Sequence, residues 1–234
     1  MPNSPSAVIN SLKGIPFLSS QADPPNVITA GNVWFVSSTH SLRADDTAHG
    51  HSPLQPFATL DYAIGQCTAN NGDVIYLMAN HAETISAADG ADFDVAGIKV
   101  IGLGTGDDRP TFTFATATAA DIEIDAANIE ISNCVFLCNI ASQARMITLT
   151  GNADGAYIHH NVFREGTASG LSMVEWTGAA DDVRIEDNTF FAPTAATYDE
   201  AILIADTPTR GKISRNFIYG DFDADLKARK YIKL

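Results

Sequence analysis

The sequence predicts an all-β protein whose fold is a right-handed parallel β-helix, with about 27 residues in each coil and an N-terminal capping helix. Three observations predict this fold. Segments repeat through the second half of the chain, apolar and polar residues alternate inside each segment, and an amphipathic segment precedes the first coil. The predicted domains are an extended N-terminal arm at 1–30, a first strand and capping helix at 31–72, the β-helix at 73–220 and a C-terminal tail at 221–234.

The N-terminal third contains the arm and the predicted cap. Residues 1–30 are rich in Pro, Ser and Asn, which is typical of an arm without a core of its own, and residues 32–37, "NVWFVS", predict a strand. Residues 57–68, "FATLDYAIGQCT", predict a helix that has Thr59 as its N-cap and is ended by 70–72, "NNG". Its apolar face consists of Phe57, Leu60, Ile64 and Cys67. Such a helix would cover the open strand edges at one end of a column.

The repeat is clearest in four segments of the second half of the chain. They are "IEISNCVF" (129–136), "AYIHHNVF" (156–163), "VRIEDNTF" (183–190) and "GKISRNFI" (211–218). Isoleucines recur at spacings of 27, 27 and 28 residues, in the row Ile131, Ile158, Ile185 and Ile213. The other apolar rows are Phe136, Phe163, Phe190, Ile218; then Ile147, Val174, Ile202; and Leu149, Trp176, Ile204. Stacked coils with these rows would bury continuous columns of apolar side chains.

A row of asparagines follows the isoleucines at a fixed offset of three residues and holds Asn161, Asn188 and Asn216. Asparagine tolerates left-handed backbone geometry, and its amide can bond to the backbone of a turn. Stacked asparagines can also bond to each other. The row therefore predicts a structural ladder inside a tight turn, with Cys134 as a buried small side chain in the same row.

A longer stretch carries a family resemblance. The run "SPLQPFATLDYAI…NNGDVIYLMANHAETI" (52–85) resembles the leading segment of right-handed parallel β-helix proteins, with Ser-Pro, Pro-Phe-Ala-Thr-Leu, Gly-Asp and Glu-Thr-Ile in the same order. Together with "GNVWFVSS" before it, this run is similar to virion proteins of tailed bacteriophages, and the resemblance extends over about residues 31–220. The loop "STHSLRADDTAHGH" (38–51) departs from the Gly-Ser-Asp-rich loop that is usual in that family.

The resemblance implies a non-enzymatic structural protein of the virion, made in the host cytoplasm. We expect a capsid decoration or cement protein that is anchored through its arm or its tail. The expected partners are other capsid or tail subunits and further copies of the chain, for example in a trimer. The alternatives are a small tail or fibre component, a carbohydrate-binding module, and a glycan-degrading β-helix depolymerase.

Composition excludes several classes of function. The 234 residues are 45% hydrophobic and 18% charged with a net charge of −14, and an acidic surface repels phosphate backbones, so no nucleic-acid partner is expected. No apolar run reaches the roughly 18 residues that cross a bilayer, and no signal peptide is visible. Three cysteines without a CxxC pair indicate a reducing compartment. Without a phosphate-binding Gly loop or a nucleophile elbow, we expect neither a cofactor nor a metal.

The pair His159 and His160 is the clearest candidate for chemistry. The repeat places it over Glu186 and Asp187 of the next coil, which could give a His–carboxylate acid–base site or half of a metal site. Adjacent strand residues point to opposite faces, however, so both rings should not reach one ligand unless the turn begins there. We therefore expect ordinary stacked side chains there.

Carboxylates on one turn edge supply the enzymatic alternative. Asp154 and Asp181 stack one repeat apart next to Asp182, and paired carboxylates are the catalytic groups of glycoside hydrolases. The alternative catalytic set is Asp154, Asp181, Asp182, His159 and Glu186. Acidic turns occur throughout the chain, so we expect a solvated acidic face and no catalytic residue.

Overall fold

The computed structural model describes residues 11–12, 15–16, 31–168, 170–193 and 198–228. Most of the predicted arm and the last six residues of the predicted tail lie outside this part of the chain. Within the arm, strands β1 (Ser11–Leu12) and β2 (Ile15–Pro16) pair antiparallel. The remainder is an all-β parallel solenoid of about five full turns, which confirms the fold class at that level.

Three parallel sheets form the walls of the solenoid, and the chain visits them in the same order in every coil. Sheet I consists of β3 (Val33–Val36), β4 (Val74–Leu77), β7 (Lys99–Gly102), β10 (Glu130–Ser132), β13 (Tyr157–His159), β16 (Val183–Glu186) and β19 (Gly211–Ser214). Sheet II consists of β5 (Ala82–Ile85), β8 (Thr111–Phe114), β11 (Val135–Cys138), β14 (Val162–Glu165), β17 (Thr189–Ala192) and β20 (Phe217–Gly220). Sheet III consists of β6 (Ala91–Phe93), β9 (Ile122–Ile124), β12 (Ile147–Leu149), β15 (Ser172–Trp176), β18 (Tyr198–Ile204) and β21 (Phe222–Ala228).

The pairing register reproduces the predicted rows. The isoleucine row of sheet I pairs Cα to Cα from Ile131 to Ile213, and the phenylalanine row of sheet II does so from Phe136 to Ile218. The rows also continue into the less regular first coils, where Val100 pairs with Ile131.

Phenylalanine rings form the central column of the core. Phe112, Phe136, Phe163 and Phe190 stack at centroid distances of 5.7, 4.7 and 4.8 Å, and all four are at most 1% exposed. These distances approach the interstrand spacing of about 4.8 Å, because each ring comes from one coil. Identical side chains in register therefore hold the coils together.

The predicted helix is shorter than its sequence pattern. Helix α1 spans Leu60–Gly65 with Gln66 as its C-cap, whereas the pattern extended over 57–68. Thr59 is its N-cap and accepts a bond from the Tyr62 backbone N–H at 3.4 Å. Among the described residues, no helix has the length and apolar character that a bilayer crossing requires.

The column extends further than predicted at its C-terminal end. Strand β21 pairs with β18 in parallel as far as Ala228, so the boundary placed at residue 220 is wrong. The segment "FDADLKA" does alternate apolar and other residues with a period of two. Because the segment carries several charged residues, the sequence did not identify it as a strand of the column.

Candidate functional site

The histidine pair lies at the point where β13 ends and a turn begins. His160 has a left-handed backbone with a φ of 56°, and this turn brings its ring to the same side as that of His159. The two Nδ1 atoms are 2.8 Å apart. Strand alternation stops at His159 because the turn begins at His160, and this is the one condition under which the sequence allowed both rings to lie on the same side.

A carboxylate completes a chain of polar contacts behind this pair. The Glu130 Oε1 atom lies 3.2 Å from His159 Nε2, and Lys99 Nζ lies 2.9 Å from the other Glu130 oxygen. The bond with His159, supported by Lys99, holds the pKa of Glu130 at about 2. Tyr157 stacks on the His159 ring at a centroid distance of 4.0 Å, with the Arg184 guanidinium 3.9 Å from the centroid of Tyr157. His159 is thus held on two sides, while His160 is exposed.

The carboxylates expected beneath the histidines bond elsewhere. His159 and Glu186 are Cα partners, yet Glu186 bonds to Lys212 at 2.6 Å and to Ser214 at 2.8 Å. Asp187 forms a two-point contact with Arg215 at 2.8 and 2.7 Å. Bonding to Lys212 lowers the pKa of Glu186 to about 2. The structure therefore pairs both carboxylates with cations of the following coil.

The other candidate carboxylates act as links between successive turns. The Asp154 carboxylate accepts a bond from the Asp181 backbone N–H at 2.6 Å. Asp181 accepts bonds from the hydroxyl and backbone N–H of Thr209, and Asp182 pairs with Arg210 at 2.8 Å. These contacts lower the pKa of Asp181 and of Asp182, whereas a general acid requires a raised pKa.

The asparagine row lies in a ladder of buried hydrogen bonds. The side-chain oxygens of Asn161, Asn188 and Asn216 accept the backbone N–H one coil earlier, at 2.9, 3.0 and 2.9 Å. Each amide nitrogen donates to a carbonyl of the preceding isoleucine row. The left-handed residue is not the asparagine itself, as the sequence suggested, but the residue before it. The residues concerned are Asn133, His160, Asp187 and Arg215.

Sequence reasoning missed an acidic cluster on the outer face of sheet III. Asp92 and Glu123 are Cα partners on β6 and β9, with Asp89 and Asp125 close enough to act on both. Partial burial, together with these neighbouring charges, raises the pKa of Glu123 to about 7 and also raises that of Asp92. Alternation in "ADF" and "DIEID" places these acids on the outer face and could have revealed them.

Sequence reasoning also missed an aromatic patch on the outer face of sheet II. The aromatic patch comprises Phe191, Phe217 and Tyr219, which are 37, 61 and 54% exposed. Phe191 and Tyr219 stack at a centroid distance of 5.4 Å. On the same sheet, a groove of about 460 Å³ is lined by Arg109, Thr111, Val135, Val162 and Arg164 together with Gly106 and Asp107.

Comparison of the chain with protein-family models, with curated proteins and with solved structures gave no match. Within the described part of the chain, no group of three or more His, Cys, Asp or Glu side chains is arranged to hold a metal ion. A solenoid fold does not by itself determine a function.

Proposed function

We propose that the chain is a non-enzymatic structural protein of a tailed-phage virion, in which it serves as a capsid decoration or cement protein. It is synthesised in the host cytoplasm and binds other virion subunits through its arm or its C-terminal end. The leading segment at 52–85 supports this proposal by its resemblance to virion proteins. The proposed assembly is a homo-oligomer, for which a trimer is the expected form.

The aromatic patch is the observation that carries the proposal. Its three rings lie on the last two coils, and the inward residues of the final coil, Ile213 and Ile218, are only half-buried. Exposed aromatic side chains of this kind are typical of protein interfaces.

The opposite end of the column suits the role of a closed tip. We propose that α1 caps it, because Leu60, Ala63 and Ile64 are buried in the core and α1 contacts β3, β4 and β6. The loop at 38–51 holds the start of this helix, since Asp45 accepts bonds from the backbone N–H groups of Ala58 and Thr59. We take the coils to be right-handed, as about 98% of parallel crossovers are.

Mass spectrometry of purified particles tests the proposal. We expect the protein at high, symmetry-related copy number, and we expect the double variant Phe217→Ser, Tyr219→Ser to be depleted from particles at least tenfold. Leu54→Ser is the matched control, because Leu54 is 69% exposed but lies outside the column. Particles that lack the wild-type protein would contradict the virion role. Particles that retain the double variant would contradict attachment through the aromatic patch.

A glycan-degrading depolymerase is the second candidate, favoured by the adjacent carboxylates Asp92 and Glu123. A carboxyl group with a pKa of about 7 beside a second carboxylate has the properties of a general acid next to a nucleophile or base. Incubation with host capsule or lipopolysaccharide should release no reducing or unsaturated ends if the chain is structural. Release that Glu123→Gln abolishes would establish the enzyme instead.

A further inference from the structure

The groove on the outer face of sheet II combines an apolar surface with two arginines. Thr111, Val135 and Val162 are successive Cα partners on β8, β11 and β14, and all three line the groove. Arg109 precedes Thr111 by two residues, and Arg164 follows Val162 by two residues on the same face of the sheet. The volume of about 460 Å³ is that of an ordinary ligand-binding cleft.

The two arginines of the groove lack the carboxylate partners that other arginines of the column have. Arg145, Arg210 and Arg215 each pair with a carboxylate, at 2.9, 2.8 and 2.7 Å. Arg109 and Arg164 form no ion pair with any residue that the structure describes, and the buried Nε–H of Arg109 has no acceptor there. Two guanidinium groups on one groove therefore have donors free for an acceptor from outside the chain.

A carboxylate is the ligand group that suits this groove. Guanidinium groups bind carboxylates through two parallel hydrogen bonds, and Asp107, which also lines the groove, forms no ion pair with a described residue. The net charge of −14 opposes long polyanions such as nucleic acids and polyuronates, because these carry far more charges than two arginines neutralise. A short peptide segment needs only two acidic side chains, and its apolar residues can pack against Val135 and Val162.

We propose that the groove binds an extended peptide segment of a partner protein, with acidic residues three positions apart and apolar residues between them. Arg109 precedes β8, and Arg164 lies on β14, two strands further along sheet II. With strands about 4.8 Å apart, the two arginines start about 10 Å apart along the column. An extended chain advances about 3.3 Å per residue, so three residues cover the same distance.

The groove continues into the aromatic patch on the same face. Arg164 is the Cα partner of Phe191, and Val162 leads through Thr189 to Phe217 in the same way. A partner that covers the aromatic patch therefore also meets the groove. In this respect the inference rests on the proposed function, for which it supplies the chemistry of the partner surface.

Calorimetry with synthetic peptides tests the groove on the full-length protein in solution. The probe is acetyl-Glu-Val-Val-Glu-amide, and its matched controls are the neutral acetyl-Gln-Val-Val-Gln-amide and the rearranged acetyl-Val-Glu-Glu-Val-amide. We expect one site per chain for the probe, with an affinity roughly fivefold or more above that for either control. Raising the salt concentration from about 50 to about 500 mM should weaken the binding of the probe.

Arginine variants assign the binding to the groove. Arg164→Gln should reduce the affinity for the probe by roughly fivefold or more and leave the melting temperature unchanged, because Arg164 is exposed and unpaired among the described residues. Arg109→Gln should reduce the affinity to a similar extent. Arg43→Gln is the matched control, since Arg43 lies in the loop at 38–51, where it donates to the His40 carbonyl, and it should bind as the wild type does.

Several results would overturn the proposal. They are absence of probe binding, equal binding by Arg164→Gln and the wild type, and tighter binding of the rearranged peptide than of the probe. Tighter binding of a glucuronate oligomer of the same charge would overturn the choice of a peptide. None of these results bears on the presence of the protein in particles, so failure of the groove and failure of the virion role are distinguishable.

Discussion

The two ends of the column differ in how completely they are covered. At the N-terminal end, Phe57 is 1% exposed and packs against Trp34 and Tyr62 at centroid distances of 5.4 and 5.0 Å. In the last described coil, the inward residues Ile213 and Ile218 are only half-buried. Phe217, on the outer face of sheet II, is 61% exposed. Apolar side chains near the N-terminal end are therefore buried by other residues of the chain, while those of the last described coil are less completely buried.

Polar groups differ between the ends in the same way. The fully buried Asp73 carboxylate accepts bonds from the backbone N–H groups of Asn32 and Thr68 at 2.6 and 2.7 Å and from the Asn71 amide at 2.8 Å. His81, also buried, accepts a bond from the Ser38 backbone. The C-terminal end also carries exposed ion pairs, such as that of Arg210 and Asp182, which contribute little to stability.

Removal of a buried aromatic ring near α1 should destabilise the protein most. Phe57→Ala should reduce the free energy of unfolding by about 3–5 kcal/mol, because it leaves a cavity among buried rings. The matched change at the other end, Phe222→Ala, should reduce it by only about 1 kcal/mol, since Phe222 is half-buried. Urea unfolding of both variants measures the difference. Equal losses of unfolding free energy in the two variants would contradict the difference between the two ends of the column.

The next effect comes from the buried carboxylate. Asp73→Ala should reduce the free energy of unfolding by about 2–4 kcal/mol, because three donors lose their acceptor inside the fold. Asp206→Ala is the control, because among the described residues that carboxylate accepts only from the adjacent Thr207, and its loss should cost about 0.5 kcal/mol. Thermal and urea unfolding should agree on this order, and a reversed order would contradict the role of Asp73.

The asparagine ladder should give a smaller effect in the regular coils. Asn188→Leu leaves the Asn161 N–H and the Ile158 carbonyl without their bonds, so we expect a loss of about 1–3 kcal/mol. Asn152→Leu, at an exposed turn, should change stability by less than about 0.5 kcal/mol. An unchanged melting temperature for Asn188→Leu would show that the ladder does not stabilise the column.

The smallest effect concerns pH at the acidic cluster. The pKa of Glu123 is about 7 in the fold against an ordinary 4.5, so its contribution is present below pH 4.5 and is lost as pH rises through 7. Glu123→Gln should therefore raise the melting temperature by about 1–3 °C at pH 8 and leave it nearly unchanged at pH 4.

Removal of the Glu130 carboxylate should change the melting temperature in the opposite direction. Its folded pKa of about 2 lies below 4.5, so its contribution is present above pH 4.5 and is lost as pH falls towards 2. Glu130→Gln should therefore lower the melting temperature at pH 7 and have little effect near pH 2. Melting curves with the same sign for both variants at pH 8 would contradict the assigned environments.

The repeat made the fold and its registers predictable from sequence. Residues 27 or 28 apart that keep the same type, such as Ile158 and Ile185, mark one position in successive coils. The outer surface was harder to predict. Strand alternation predicts the face on which a side chain lies, but a turn residue with a left-handed backbone changes that direction. The left-handed backbone at His160 places its ring on the same side as that of His159. The Glu186 carboxylate bonds to Lys212 of the next coil and not to His159.

Exposed apolar residues were missed for a related reason. The sequence of β17, "TFFA", has two adjacent phenylalanines, of which Phe190 is buried and Phe191 belongs to the aromatic patch. Only the pairing of Phe191 with Tyr219 on the next strand turns isolated aromatic residues into a surface. Such a surface depends on the three-dimensional register and on how much of the last coil is covered.

An electron cryomicroscopy map of phage particles would distinguish attachment through the aromatic patch from attachment through α1. We expect density for the column on the capsid, with the aromatic patch and the strands Gly211–Ser214 and Phe217–Gly220 against a neighbouring subunit and α1 pointing away. Attachment through the α1 end would contradict the assignment of the two ends. A virion without this density would contradict the structural role itself.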